Sequence, residues 1–209
     1  VGAHVEVIPG PANVVETLLQ IGAATPTVAV TTKAGPVVTV RCSGTDAWGN
    51  TIVDGWSVVT TPNNLPVHTT GAAPTIAALK AGTWQLACRN SGTIDTSPAS
   101  LTVTPAPPRH LFTLVEPSEI AAGNAAKLGC VATDVYGNTI PGFPFAMDYG
   151  PEVKIKGLYV SSTKSGIHTL KCVPETDKWS LYEIHAGNLH VRPGPPKTLL
   201  VGQVLDKPV

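Results

Sequence analysis

The side chains of this 209-residue chain suited to redox, metal or acid–base chemistry are four cysteines, at 42, 88, 130 and 172, and six histidines, at 4, 68, 110, 168, 185 and 190. The cysteines form no Cys-x-x-Cys pair, and no histidine stands at a ligand-like interval from any of them, which argues against zinc. The histidines make no His-x3-His or His-Glu-x-x-His pattern, and neither a Gly-x-Ser-x-Gly elbow nor a phosphate-binding glycine loop occurs. The pattern therefore predicts no catalytic residue, no metal and no cofactor, and a protein that is not an enzyme. His168 is the sharpest single case, because strand alternation places it on the side of Cys172 and Leu170; it reads as a satisfied histidine at the rim of a core.

The chemistry that remains is thiol oxidation. Four cysteines allow three pairings. Two fall in each half of an internal repeat, and only bridges within the repeat, Cys42 with Cys88 and Cys130 with Cys172, give both copies the same covalent structure. Each would close a loop of about 45 residues, worth roughly 4 kcal/mol in a simple loop-entropy account. Persistent disulfides imply an oxidising compartment, hence a secreted or cell-surface chain; reduced core thiols in a cytosolic protein are the rival reading.

The elements that would hold these cysteines repeat. Val5-Glu6-Val7-Ile8-Pro9-Gly10-Pro11, Leu101-Thr102-Val103-Thr104-Pro105-Ala106-Pro107 and Leu189-His190-Val191-Arg192-Pro193-Gly194-Pro195 each read as a last strand running into a stiff proline junction. Prolines 9, 105 and 193 stand 96 and then 88 residues apart, an interval that suits one β-sandwich each. Between them, Val38, Val40 and Cys42 match Ala126, Leu128 and Cys130, and Trp84, Leu86 and Cys88 match His168, Leu170 and Cys172. Residues 13–21, the nearest approach to a helix, are rich in Val and Thr and read as a strand. The expected organisation is all-β. Residues 1–11 are the last strand and linker of a preceding domain, 12–107 and 108–195 two tandem sandwiches, and 196–209 the opening strand of a following one.

Four residues after the first cysteine of each copy comes a turn, Asp46-Ala47-Trp48-Gly49-Asn50 and Asp134-Val135-Tyr136-Gly137-Asn138. Aspartate accepts nearby amides, and Gly takes positive φ at little cost. A calcium site drawn from Asp46, Asp54 and Asp134 is the poorer reading, because calcium requires six or more oxygens and no dense acidic cluster is present. With this doubled Cys-x3-Asp-x-aromatic-Gly-Asn pattern the chain resembles the bacterial immunoglobulin-like tandem repeats of the invasin and intimin type, in the disulfide-bearing version of long surface proteins. More distantly it is similar to filamin-type repeats, from whose cytoplasmic members the paired cysteines depart. The resemblance spans about residues 12–195. It implies immunoglobulin-like sandwiches, each with an inter-sheet disulfide.

Trp48 and Tyr136, at the turn tips, are candidate contacts for a protein or glycan, as is the Pro/Thr-rich stretch 60–78. Lys154 and Lys156 alternate as on an exposed edge strand. Composition agrees with many short strands and turns: Gly 20 and Pro 20 make almost a fifth of the chain. With 14 basic and 14 acidic residues the formal net charge is zero, and no basic cluster could follow a phosphate backbone, so nucleic acid is not an expected partner. Nor does any run approach the 18 or so apolar residues of a membrane span. The expected function is a non-catalytic structural or adhesive segment of a secreted or surface protein, a stiff spacer or fibre shaft. Its partners would be neighbouring immunoglobulin-like domains, further copies in a fibre, or a protein or glycan on another surface. A ligand-binding module and a filamin-like scaffold are the alternatives.

Overall fold

The computed structural model of the chain describes residues 6–69, 73–176 and 181–196. They fold into strands, turns and short connections; no helix among them is long and apolar enough to cross a membrane. Two compact units are distinguished, Val1–Pro108 with Thr133–Thr139, and Arg109–Ala132 with Ile140–Val209.

In the first unit, β1 (Ala12–Ile21), β2 (Ala29–Lys33), β3 (Val37–Asp46), β4 (Ser57–Thr61), β5 (Thr75–Ala77), β6 (Gly82–Asn90), β7 (Thr93–Ile94) and β8 (Ala99–Thr104) follow in order. They make two sheets, β1-β3-β5 and β2-β8-β6-β4, with β7 paired to β6. Every pairing is antiparallel except that of β2 with β8. Residues 13–21 are thus strand, as their β-branched content requires. Alternation sends Leu19, Val38, Val40, Ile76, Leu86 and Leu101 into one fully buried core between the sheets.

The second unit, with Pro108 and the end of β11 at Thr133–Asp134 counted in the first, repeats the plan with β9 (Pro108–Glu116), β10 (Glu119–Ala121), β11 (Ala125–Asp134), β12 (Phe145–Tyr149), β13 (Val153–Lys156), β14 (Tyr159–Ser162), β15 (Gly166–Pro174), β16 (Glu183–His185) and β17 (Gly187–Arg192). Its sheets run β13-β14-β11-β9-β16 and β10-β17-β15-β12. The β10–β17 and β9–β16 pairs are parallel, as is β2–β8 in the first unit. Val160, Leu170 and Leu189 are its fully buried centre. β13 is an outer strand, so Lys154 and Lys156 occupy the edge that their alternation suggested.

Cys42 on β3 is bonded to Cys88 on β6, and Cys130 on β11 to Cys172 on β15, so each bridge joins the two sheets of its unit. The Cα atoms stand 5.7 and 5.8 Å apart, the usual span for such a bond. Two facing, mainly antiparallel sheets and a bridge from an early to a late strand make the fold immunoglobulin-like. A second tie accompanies each bridge. Buried Thr17 Oγ1 accepts the Cys88 amide at 2.8 Å, and buried Thr113 Oγ1 the Cys172 amide at 2.8 Å, which fastens the first strand of each unit to the disulfide strand of the opposite sheet.

The stretch 60–78 is shorter as a loop than its composition suggests. Thr60 is buried in β4, and Ile76 is buried in β5. Between them Leu65 enters the core, and Asn64 Oδ1 accepts the Trp84 indole N–H at 2.8 Å. Residues 70–72 lie outside the described segments, as do all but the first residue of the opening strand expected at 196–209 and the first five residues of the last strand and linker expected at 1–11; residues 6–10 belong to no strand.

Candidate functional site: the aspartate turns

Each aspartate turn is built from the end of a strand. β3 ends at Asp46 and β11 at Asp134, both buried, and the chain reverses so that Thr45 bridges Thr51 and Thr133 bridges Thr139. The reversal places Gly49 at φ 84° and Gly137 at φ 82°, where a side chain is strained, and this explains glycine at the fourth position of both motifs.

The two carboxylates make the same four hydrogen bonds. Asp46 Oδ1 accepts the amides of Trp48 and Asn50, each at 2.9 Å. Its Oδ2 accepts Asn50 Nδ2 at 2.8 Å and the Gly10 amide at 2.9 Å. Asp134 Oδ1 accepts the amides of Tyr136 at 2.9 Å and Asn138 at 2.8 Å; its Oδ2 accepts Asn138 Nδ2 and the Ala106 amide, both at 2.8 Å. Gly10 and Ala106 are the residues between the prolines of the two junctions. The motif therefore does more than close a turn: it binds the proline segment that leads into its own strand sequence. A carboxylate has about four lone-pair sites, and these are filled by N–H donors, so neither aspartate has an acceptor left for a cation.

These bonds favour the ionised carboxylate. The Asn50 side-chain amide, helped by the amides of Gly10, Asn50 and Trp48, outweighs the opposing effect of burial and holds Asp46 at about 2, against an ordinary 3.8. For Asp134 burial by itself pushes upward. The Asn138 side chain with the amides of Ala106, Asn138 and Tyr136 overcomes it, so this group too lies below the ordinary value.

The aromatic rings between Asp and Gly point outward. Trp48 is 80% exposed, with its edge over Gly10, where an added Cβ would come within 3.1 Å of the ring. Tyr136 is 44% exposed. Both are thus surface groups on a rigid turn. His168 is the satisfied rim histidine expected of it: its Nε2 lies 2.8 Å from the Lys164 carbonyl and its Nδ1 4.0 Å from Glu152, which also pairs with Lys164.

The structure also assembles a group that sequence spacing did not suggest. His110 and, more than 70 residues further along the chain, Glu183 and His185 come together on the parallel strands β9 and β16. No local motif signals this, because the two strands meet only through sheet pairing.

No protein-family model matches the sequence, and no curated protein matches it. Among solved structures the chain is similar to the Yersinia pseudotuberculosis protein InvD, at 19% identity and a TM-score of 0.46, covering 90% of this chain and 61% of that one. It is likewise similar to FdeC, an Escherichia coli adhesin, at 19% identity and a TM-score of 0.44, covering 90% and 67%. The surface-layer protein SbsC is matched through its domains 5–6, at 15% identity and a TM-score of 0.34. The chain spans 56% of the length of the solved chain of the adhesin InvE and 40% of that of invasin.

Proposed function

We propose that this chain is a non-catalytic structural and adhesive segment of a secreted or cell-surface protein, in which residues 12–107 and 108–195 are two stiff immunoglobulin-like modules in series. The observation that carries this reading is the duplicated aspartate clamp. In both copies the same carboxylate ties the amide between two junction prolines to the turn after the second long strand. Proline already restricts φ on either side, and a charge-assisted hydrogen bond to the remaining residue removes much of the freedom that is left. Such a segment carries load as a stiff connection where a flexible linker would not. Two inter-sheet disulfides support an extracellular setting and count against a filamin-like scaffold in the reducing cytosol.

Stretching single molecules by their ends tests the mechanical role. The bridges span 46 and 42 residues, so reduction is expected to lengthen each unfolding event, by roughly 160 Å and 150 Å at about 3.5 Å per extended residue. Equal extensions with and without reductant would remove the load-limiting function.

The exposure of Trp48 favours a second reading, in which these modules themselves bind a protein or glycan. On protein and glycan arrays, saturable binding that Trp48→Ala abolishes while changing stability by less than about 0.5 kcal/mol would establish this reading over the spacer. Binding that persists in Trp48→Ala and Tyr136→Ala would place recognition away from the turns.

A further inference from the structure

We propose that His110, Glu183 and His185 form a surface site for a borderline divalent cation of the zinc class, which staples the short outer strand β16 to β9. This departs from the expectation of no metal, which rested on local spacing. β16 runs parallel to β9 in the register Glu183 with His110, Ile184 with Leu111 and His185 with Phe112. Leu111 is fully buried, so alternation turns His110 and Phe112 to the outer face together with Glu183 and His185. One ligand atom from each of the three residues lies within 4.8 Å of the others. Ligands around a shared ion at about 2.0–2.2 Å stand roughly 3–3.5 Å apart, so closure requires side-chain rotation of about 1 Å and no backbone movement.

The ligands are held in place by groups that do not themselves bind metal. The His185 ring stacks on Phe112, with centroids 4.4 Å apart and planes 8° from parallel. Glu183 Oε1 accepts from Arg109 Nη2 at 3.1 Å, while Arg109 Nη1 donates to the Leu181 carbonyl at 3.1 Å. The guanidinium thus occupies one carboxylate oxygen and leaves Oε2, which lies 3.1 Å from His110 Nδ1, facing the imidazoles. Orienting partners of this kind lower the cost of assembling a site. The positive charge of Arg109 works against a cation, and both Arg109 and Glu183 are about half exposed, so the attraction is screened and the site has modest affinity. Two imidazoles and one carboxylate suit Zn²⁺, Ni²⁺ or Cu²⁺; calcium and magnesium prefer all-oxygen shells. With three protein ligands, water completes the coordination.

A zinc titration of the 209-residue chain by calorimetry, in a non-chelating buffer, tests the site. One saturable site is expected. His110→Ala, His185→Ala and Glu183→Gln should each weaken it by at least about tenfold, since losing even an orienting partner costs that much. His190→Ala, on β17 of the other sheet, should leave it unchanged. All four positions are on the outer surface, and circular dichroism checks that the variants stay folded. Substoichiometric Ni²⁺ provides a readout on the unaltered protein: its paramagnetism should broaden the ring resonances of His110 and His185 before those of the other histidines. Absence of saturable zinc binding, undiminished binding in His110→Ala and His185→Ala, or uniform broadening of all histidines would each overturn the proposal.

Discussion

Replacing Cys42 and Cys88 by alanine is expected to lower the unfolding free energy of the first unit by about 4 kcal/mol, and replacing Cys130 and Cys172 should do nearly the same to the second. The estimate comes from the bridge spans of 46 and 42 residues, which set how many denatured conformations each cross-link forbids. A small domain has only about 5–15 kcal/mol in total, so either change would remove a large share of its stability. Alanine is preferred to serine, because Cys88 and Cys172 are fully buried and a hydroxyl there would need a partner of its own. Urea denaturation should show a lower midpoint together with a steeper slope, since the uncrosslinked chain exposes more surface when it unfolds. A loss below about 1 kcal/mol would mean that the denatured state stays compact without the bridge, and the entropic account would fail.

Asp134→Ala is expected to cost about 3 kcal/mol, the range for removing a buried, charge-assisted acceptor and leaving its donors unpaired. Four donors are affected: the amides of Ala106, Tyr136 and Asn138, and the Asn138 side chain. The most specific readout is hydrogen exchange at Ala106. Its amide donates to Asp134 from within a proline segment that has no strand partner, so its protection should vanish while that of β15 remains. Asp46→Ala should do the same at Gly10. Unchanged protection at both amides would mean that the junctions are held by something other than the clamp.

The same carboxylates predict an acid limb. Asp46 titrates at about 2 in the folded chain against an ordinary 3.8, and Asp134 is lowered as well. As pH falls the unfolded chain therefore takes up these protons first. The stability they contribute is complete above the ordinary carboxylate range and is lost on the way down from about pH 4 to about pH 2. Removing both aspartates should flatten that part of the stability profile; an unaltered slope would assign it to other carboxylates.

How much of this was legible beforehand depended on the range over which each feature is encoded. Strand identity came from alternation: Val38 and Val40, Trp84 and Leu86, and Leu170 announce a buried face by their own spacing. The disulfide pairing needed a second copy, because a single set of cysteines is ambiguous and only duplication breaks the ambiguity. The turns were readable because aspartate, glycine and asparagine state their backbone preferences within five residues. The stretch 60–78 reads as a longer loop than it is: a Pro/Thr-rich composition hides the fact that Leu65 belongs to the core and that Asn64 satisfies the Trp84 indole.

The sequence by itself determined the class of fold, the covalent cross-links and the local form of the aspartate turns, since each follows from short-range periodicity or from comparison of one copy with the other. Only the tertiary structure decided what those elements touch. It gave the Asp46 and Asp134 carboxylates their fourth donors, from Gly10 and Ala106, and passed the Cys88 and Cys172 amides to Thr17 and Thr113. It also brought His110 beside Glu183 and His185 through a parallel pairing of β9 and β16. The physical reason is that register between distant strands is selected by burial of whole sheet faces, such as the one carrying Leu111. The outward residues that this selection aligns leave no periodic trace of their meeting.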